Sequence, residues 1–372
     1  MRIGITLRSH DPEWGGPGTY TIEIVKHLLQ ADTLNEYALF YPRSAGVRRF
    51  LGQYRALAPT VLEVDTQSRS GYYTDLVVVP HLAHKLSVDI LFSPFSSLPI
   101  RGRFRKIMTV HGAERYAVPG LLSWRSSLDW RLMETVTLWR ADRVLAVSET
   151  MKRDFCRALR FPLERVCTTY LGVNPTFQPL RDAERLDCVR RRYQLPDNFV
   201  LFVGYLFPNK NFTNLLKGFH AIAAAIPHQL VVCGGRRWKY EKDLAAVHAY
   251  GLSDRVRFLG VVPPEDLVAI YNLAGCFVFP SLYESFGLAM VEAMACGCPV
   301  IASNTGALPE IAGDAVLFCD PLSPEDIGRS IQKLVCDSSL RATFGAKGIA
   351  RAREFTWERA ARETLSVFRE LV

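Results

Sequence analysis

The sequence predicts an α/β protein with two doubly wound, Rossmann-like domains, each built on a parallel sheet. The chain has 372 residues, enough for about two domains with separate cores. Short apolar runs typical of buried strands alternate with segments of helical periodicity. This alternation occurs twice, and irregular sequence with proline and glycine separates the two series between residues 172 and 182.

The first series opens with a strand, a glycine-rich loop and a helix, at RIGITL, WGGPGTY and TIEIVKHLLQ. Further strands are predicted at YALFYP, VDILFSP, KIMTVHG and DRVLAVS, with a helix in SLDWRLMETVTLWRA. Because strands that alternate with helices favour a parallel sheet, residues 1–176 are predicted to form the N-terminal domain.

The second series repeats this architecture, and residues 177–354 are predicted to form the C-terminal domain. Its strands are predicted at NFVLFVG, QLVVCGG, RVRFLG, CFVFPS, PVIASN and AVLFCD. Residues 355–372 are interpreted as an amphipathic helix that packs back toward the N-terminal domain. Doubly wound sheets bind ligands outside the carboxyl ends of their strands, so we expect a site in a central cleft faced by both domains.

Charge is concentrated in the first half of the chain. The net charge is +8, and residues 1–174 hold 23 Lys and Arg against 16 Asp and Glu. Such a basic half can contact an anionic membrane or can be an ordinary solvated face. No interleaving of aromatic and basic residues accompanies the charge, so nucleic acid is not an expected partner.

Cysteine usage and apolar runs predict a cytoplasmic protein. The nine cysteines form no C-x-x-C pair, which favours reduced thiols over disulfides or zinc ligands. The apolar stretch before Arg8 is too short for a signal peptide, which argues against a two-domain solute-binding protein. No D-x-D sequence or His/Asp cluster predicts a metal site.

The most informative segment is FPSLYESFGLAMVEAMACGCPVIAS, at residues 279–303. A helix is predicted between residues 286 and 296, and the unpaired amides at its start predict an anion site suited to a phosphate. The amides are those of Ser285, Phe286, Gly287 and Leu288.

Two carboxylates flank this helix start. Glu284 lies just before it and can accept hydrogen bonds from sugar hydroxyls, and Glu292 can hold a second diol such as a ribose. Alternatively, Glu284 only stabilises the helix dipole and Glu292 is an exposed helix residue. The residues alone leave both interpretations open.

The stretch E-S-F-G-L-A-M-V-E resembles the E-x7-E motif of retaining glycosyltransferases with the GT-B fold, especially glycosyltransferase family 4. The continuation GCPVIASNTGALPEIAGDAVLFCDP and the earlier WGGPGTYTIEIVKHL are also similar to that family. The resemblance is dense in the second half and limited to landmarks in the first. It implies an acceptor-side N-terminal domain and a C-terminal domain that binds a nucleotide-sugar.

The resemblance also implies roles for single residues. Glu284 would meet the donor sugar and Glu292 the ribose, with backbone contacts from residues 286–288. Lys210, in VGYLFPNKNF, matches the lysine that neutralises the diphosphate, although a surface lysine at a helix start is the plain alternative. His111, in MTVHGAERY, matches a histidine near the hydroxymethyl group of the sugar, whereas a lone strand-end histidine is more often structural.

Glycines and strand ends complete the predicted donor site, because they let backbone approach a ligand closely. The permissive turn of the N-terminal domain carries Gly15, Gly16 and Gly18. The strand ends expected beside the nucleobase carry Phe258, Leu259 and Gly260 and, on the neighbouring strand, Gly234 and Gly235.

One position departs from the family. The family often has Arg after the strand glycine, and here Tyr205 follows Gly204, so a guanidinium fork is missing. We expect Arg236 or Arg237, in CGGRRWKYEKDL, to supply the second cation from a neighbouring strand end.

The resemblance implies a retaining, metal-independent transfer without a cofactor. GGRRWKYE and PNKN look like segments of bacterial mannosyltransferases that use GDP-mannose in polysaccharide synthesis, and a UDP-sugar such as UDP-glucose is the alternative donor. The expected acceptor is a glycan or lipid-linked saccharide at the inner face of the cell membrane. A non-catalytic glycan-binding or regulatory member, suggested by Tyr205, is a further alternative.

Overall fold

The computed structural model describes residues 1–7, 15–42, 45–58, 60–66, 73–95, 98–99, 101–118, 134–235 and 241–372. These residues divide into two compact units. The first unit contains Met1–Tyr116, residues 134–172 and Thr356–Val372, and the second contains Val173–Phe355. The chain therefore returns to the first unit at its C-terminus.

In the described part of the first unit, seven strands form a parallel sheet in the order β3-β2-β1-β4-β5-β6-β7. The strands are β1 (Arg2–Thr6), β2 (Glu36–Tyr41), β3 (Leu62–Asp65), β4 (Ile90–Ser93), β5 (Arg105–Val110), β6 (Arg143–Ala146) and β7 (Val166–Thr168). The helices between them are α1 (Gly16–Ala31), α2 (Ala45–Leu57), α3 (Val79–Lys85), α4 (Glu114–Ala117) and α5 (Glu149–Leu159).

Six strands, again counted over described residues, form the parallel sheet of the second unit in the order β10-β9-β8-β11-β12-β13. The strands are β8 (Phe199–Val203), β9 (Gln229–Cys233), β10 (Val256–Gly260), β11 (Cys276–Phe279), β12 (Val300–Ser303) and β13 (Leu317–Cys319). The helices are α6 (Ala183–Tyr193), α7 (Phe212–Ile222), α8 (Glu241–Ala249), α9 (Pro264–Leu273), α10 (Leu288–Ala295), α11 (Leu308–Ala312), α12 (Pro324–Cys336) and α13 (Ser338–Ala352).

The last helix, α14 (Trp357–Arg369), packs on the first unit. The Thr356 side chain caps it by accepting from the Arg359 amide at 3.2 Å. Its apolar face contacts the unit through Phe368, whose ring centroid lies 5.3 Å from that of Phe92. A Cβ on Gly172 would lie 2.1 Å from the Trp357 nitrogen, so the chain passes this helix without room for a side chain.

Every strand that the sequence predicts is present, and the sheet of the first unit has two more, β3 and β7. Both additional strands are edge strands of three or four residues, at LEVD and VCT. Their residues are half-buried or exposed except Val166, so they lack the continuous apolar run that marks a central parallel strand. The helix predicted in SLDWRLMETVTLWRA is observed over residues 134–140, and its earlier part lies outside the described residues.

Helix α7 is held close to α12 in the second unit. A Cβ on Gly218 would lie 2.4 Å from the carbonyl oxygen of Pro324, and a Cβ on Gly328 would lie 2.7 Å from that of Gly218. The two helices therefore touch through their backbones, above a core that includes Phe202, Leu215 and other buried apolar side chains. This packing fixes the start of α7, which directly follows Lys210 and Asn211.

In both sheets the strand order reverses at a defined place. The reversal lies between β1 and β4 in the first unit and between β8 and β11 in the second. Ligands of doubly wound folds bind outside the carboxyl ends of the strands at such a point. In the second unit, a ligand is therefore expected to bind at the segments that follow β8 and β11.

None of the helices in the described ranges is both long enough and apolar enough to cross a bilayer.

Candidate active site

Two opposite charges meet where the second sheet reverses its order. Lys210 ends a 3₁₀ turn that follows β8, and Glu284 lies in the loop after β11. The Lys210 Nζ donates to Oε1 of Glu284 at 2.6 Å and lies 4.8 Å from the centroid of the Phe279 ring. The two side chains are only 24% and 13% exposed, so Lys210 is not an ordinary solvated lysine. An anion that reaches this point meets a cation already held in a partly dry setting.

The loop after Glu284 ends at a glycine that sets the start of α10. Gly287 has φ of 90°, and a Cβ there would lie 2.4 Å from a Leu308 methyl carbon, so only glycine fits. The helix begins at Leu288, two residues later than the sequence predicts, because the left-handed Gly287 interrupts the helical backbone. Among the described side chains none caps this N-terminus, and its first amides can bind an anion.

Ser285 and Phe286 bring the chain to that glycine. Both are buried, at 7% and 4% exposure, and the Phe286 ring packs edge-on against Phe355 with the centroids 5.5 Å apart. The packing of Phe286 in the core fixes the backbone of the loop, while its side chain is not offered to a ligand.

Glu292 lies in α10, two turns beyond Glu284. Burial raises its pKa from 4.5 to about 8, so the group is mostly a neutral acid at pH 7. Glu292 is half-buried, which excludes the interpretation of it as a freely exposed helix residue. A desolvated carboxyl group of this kind can exchange paired hydrogen bonds with a diol.

The carboxyl ends of β9 and β10 are lined by glycine and an apolar side chain. A Cβ on Gly234 would lie 2.1 Å from the Gly204 carbonyl oxygen, and one on Gly235 would lie 2.9 Å from the Tyr205 ring. Val261, just after β10, is 71% exposed. This edge offers backbone and apolar surface of the kind that suits a flat nucleobase.

The residues predicted on β10 differ in what they present. Phe258 packs against the core, with its ring centroid 6.0 Å from that of Phe212, so only its backbone lies at the edge. Leu259 is half-buried and Gly260 has φ of 74°. Arg236 and Arg237, which we expect to replace the missing arginine, lie outside the described residues.

His111 follows β5 in the first unit. Its Nε2 lies 2.6 Å from the Pro94 carbonyl oxygen, which can only accept, so Nε2 carries the proton and Nδ1 is an acceptor. Burial lowers its pKa to about 4, which keeps the ring neutral at physiological pH. The Tyr20 ring packs edge-on against the His111 ring, with the ring centroids 4.7 Å apart. The Tyr20 hydroxyl group is hydrogen-bonded to the Thr109 hydroxyl group. The role of His111 toward a donor sugar stays a prediction.

The predicted glycine turn of the first unit leads into α1. Gly15 has φ of 67° and precedes the helix, which begins at Gly16, and Gly18 is buried in its first turn. A left-handed Gly15 lets the chain enter the helix at this angle. Among the described residues, no side chain caps α1.

The structure thus brings Lys210 and Glu284 into direct contact within the second unit. Helix α10 begins four residues after Glu284. His111 and the glycine turn belong to the first unit. Sequence reasoning missed Asn209, Asn211 and Phe279, which surround Lys210; the only signal was the asparagine on each side of the lysine in PNKN. In the described part of the chain, no group of three or more His, Cys, Asp or Glu side chains is placed to hold a metal ion.

Comparison with known proteins covers both halves of the chain. Residues 14–177 match the family described as Glycosyltransferase Family 4, and residues 190–351 match Glycosyl transferases group 1. The chain is 35% identical over 381 residues to O-antigen chain mannosyltransferase B of Escherichia coli, with 96% of each chain covered. It is 30% identical over 238 residues to the serotype-specific mannosyltransferase WbdA of E. coli. The matched region covers 63% of this chain and 29% of that protein.

Among solved structures, Anabaena HepE in complex with UDP and glucose superposes with a TM-score of 0.78 at 19% identity, over 100% of both chains. The likeness to HepE shows the GT-B fold, and the two family matches identify the chain as a glycosyltransferase. The chain belongs to glycosyltransferase family 4, within which it is similar to mannosyltransferases.

Proposed function

We propose that this chain is a retaining hexosyltransferase that moves mannose from GDP-mannose to a glycan or lipid-linked saccharide in cell-surface polysaccharide synthesis. The observation that carries the proposal is the Lys210–Glu284 pair at the reversal point of the second sheet, 2.6 Å from nitrogen to oxygen. The mannosyltransferase names of two relatives support mannose as the transferred sugar.

In the proposed reaction, Lys210 and the first amides of α10 bind the diphosphate and stabilise the charge that grows as it leaves. Glu284 accepts hydrogen bonds from sugar hydroxyls and orients the ring. The bond from the anomeric carbon to the phosphate oxygen breaks, and the acceptor oxygen forms its bond on the same face. The acceptor proton passes to the departing phosphate. Because protein groups supply the positive charge, we propose that no resident metal or cofactor is needed.

Glu292 is proposed to hold the ribose, and the apolar edge beside Tyr205 and Val261 to hold the base. Glu292 has the chemistry for this role, since a desolvated carboxyl group gains hydrogen bonds from a diol that water does not supply there.

A UDP-sugar, of the glucosyl type, is the second candidate donor. It is favoured by the solved complexes of HepE with UDP and glucose and with UDP-glucose. The mechanism would be unchanged, because the base lies away from the reacting carbon.

A melting-temperature screen with GDP, UDP, ADP, dTDP and their sugar conjugates separates these candidates, since a ligand of the native state raises the melting temperature. We expect a selective rise with GDP and GDP-mannose, and transfer of mannose with retained anomeric configuration by NMR, unchanged by EDTA. A selective rise with UDP and its sugar conjugates would identify a UDP-sugar, and not GDP-mannose, as the donor. No response to any nucleotide would favour a non-catalytic, glycan-binding family member.

The same protein is proposed to work at the inner face of the cell membrane as a peripheral protein. The support is the charge of residues 1–174, with 23 Lys and Arg against 16 Asp and Glu. Sedimentation with anionic liposomes is expected to exceed that with neutral liposomes and to fall as salt rises. Binding that ignores anionic lipid content would contradict the proposal.

A further inference from the structure

Two asparagines bind the turn that carries Lys210 to the loop that carries Glu284. Asn209 and Asn211 flank the lysine and are 6% and 8% exposed. We call these two side chains the asparagine clasp. They join segments that lie about 70 residues or more apart in the chain but follow neighbouring strands, β8 and β11.

Asn209 pairs with the loop through both its backbone and its side chain. Its carbonyl oxygen accepts from the Leu282 amide at 2.8 Å, and its Nδ2 donates to the Tyr283 carbonyl oxygen at 2.8 Å. These bonds end one residue before Glu284. Lys210 and Glu284 therefore each directly follow one of the two residues, Asn209 and Tyr283, that the side-chain hydrogen bond joins.

Asn211 pairs with two loops at once. Its Nδ2 donates to the carbonyl oxygen of Pro280 at 3.0 Å and to that of Pro321 at 2.7 Å. The residue has φ of 57°, a left-handed conformation that asparagine tolerates better than most side chains. Both of its amide hydrogens are used, so the side chain spans the ends of β11 and β13.

Helix stability does not explain Asn211. Asparagine before a helix ordinarily accepts a hydrogen bond from an amide of the first turn. Here Asn211 precedes α7 and makes no such capping bond. Its hydrogen bonds go instead to carbonyls 69 and 110 residues away, in the loops that follow β11 and β13.

We propose that Asn209 and Asn211 are positioning residues that hold the Lys210 ammonium against Glu284 before a donor arrives. A lysine has a flexible four-carbon stem and would otherwise sample many positions. A charge fixed in advance needs no reorganisation when negative charge develops beside it. The effect on catalysis rests on the proposed function, whereas the effect on the ion pair does not.

Substitutions at Asn211 distinguish the effect of its side-chain hydrogen bonds from the effect of its backbone conformation. Asn211→Gly keeps the left-handed conformation and removes both donors, and Asn211→Asp keeps the shape but directs a carboxylate at two carbonyl oxygens. We expect kcat to fall about 10- to 100-fold in both, with a smaller change in donor KM, as for a displaced catalytic group. The matched control is Asn214→Asp, because Asn214 also donates to Pro321, at 3.0 Å, but does not flank the lysine.

A second measurement needs no activity. Unfolding of Lys210→Met, Glu284→Gln and the double variant gives the coupling between the two charges, expected to be about fivefold in the unfolding constant. The same cycle in the Asn211→Gly protein should show no coupling. Equal coupling in both backgrounds, or an unchanged kcat, would overturn the proposal. A wild-type protein that transfers no sugar would instead overturn the proposed function, while the unfolding cycle would still test the clasp.

Discussion

Replacement of Lys210 by methionine is expected to lower kcat about 10²- to 10³-fold, the effect of removing one preorganised donor from a developing anion. Methionine keeps an apolar side chain and removes the charge that lies 2.6 Å from Glu284 and 4.8 Å from the centroid of the Phe279 ring. Donor KM should rise less than kcat falls, because charge on the diphosphate grows during bond cleavage. Steady-state transfer of sugar from the nucleotide-sugar chosen by the melting screen measures both constants.

The matched control for this variant is Lys217→Met. Lys217 lies in α7, in the same unit and close in sequence, but its side chain is exposed. We expect the control to keep kcat within about twofold, since an exposed surface charge contributes little. Similar losses in both variants would mean a general effect of charge on the protein. A Lys210→Met protein with normal kcat would remove the lysine from the mechanism.

How far the sequence predicts this fold depends on the kind of strand. Central strands such as β4 and β11 are buried along their whole length and appear as continuous apolar runs. The edge strands β3 and β7 are covered less, and their short, mixed sequences carry no comparable signal. Two doubly wound domains were predictable because the central strands and their helices occur in two series, and the resemblance of residues 284–292 to the E-x7-E motif implied the GT-B fold.

The candidate site was predictable where its chemistry is local. Glu284, Gly287 and Glu292 lie within nine residues, and a helix start with two carboxylates is visible in the sequence. The ion pair with Lys210 was not visible, because it joins residues 74 apart. The clasp bonds of Asn211 span 69 and 110 residues, and only the sheet order brings their partners together.

Protonation states were also outside the reach of the sequence. The high pKa of Glu292 and the low pKa of His111 come from burial, which depends on the packed structure. The same carboxyl group in an unfolded chain would titrate near 4.5. The difference between the two states makes Glu292 accessible to a stability experiment as well as a binding experiment.

Replacement of Glu292 by glutamine is expected to change stability and nucleotide affinity in opposite directions above neutral pH. The pKa of Glu292 is raised from 4.5 to about 8 in the native state, so the native protein binds the proton more tightly than the unfolded chain. The stability that this proton contributes is complete below about pH 4.5 and is lost as pH rises through about 8. Glutamine does not titrate, so the variant should not lose stability at this position as the pH rises.

At about pH 8.5 we therefore expect Glu292→Gln to be more stable than the parent by about 2 kcal/mol, after allowance for solvent screening of a half-buried group. Urea unfolding at about pH 6 and about pH 8.5 measures the difference, which should shrink at the lower pH. Glu265→Gln is the control, because Glu265 is exposed at the start of α9.

Nucleotide binding should respond in the other direction. An ionised carboxylate accepts from both ribose hydroxyls, so the affinity of the parent protein should rise with pH through about 8 and that of Glu292→Gln should stay lower by about tenfold. Calorimetry with GDP and 2′-deoxy-GDP, or with the nucleotide pair that the melting screen selects, isolates this contact. Glu292→Gln should bind the two nearly equally, whereas the parent should prefer the ribose form. A variant that is less stable at high pH and still prefers ribose would show that the carboxyl group serves the fold. The expected result would show that Glu292 is a half-buried acid that lowers the stability of the protein at high pH and binds the ribose of the ligand.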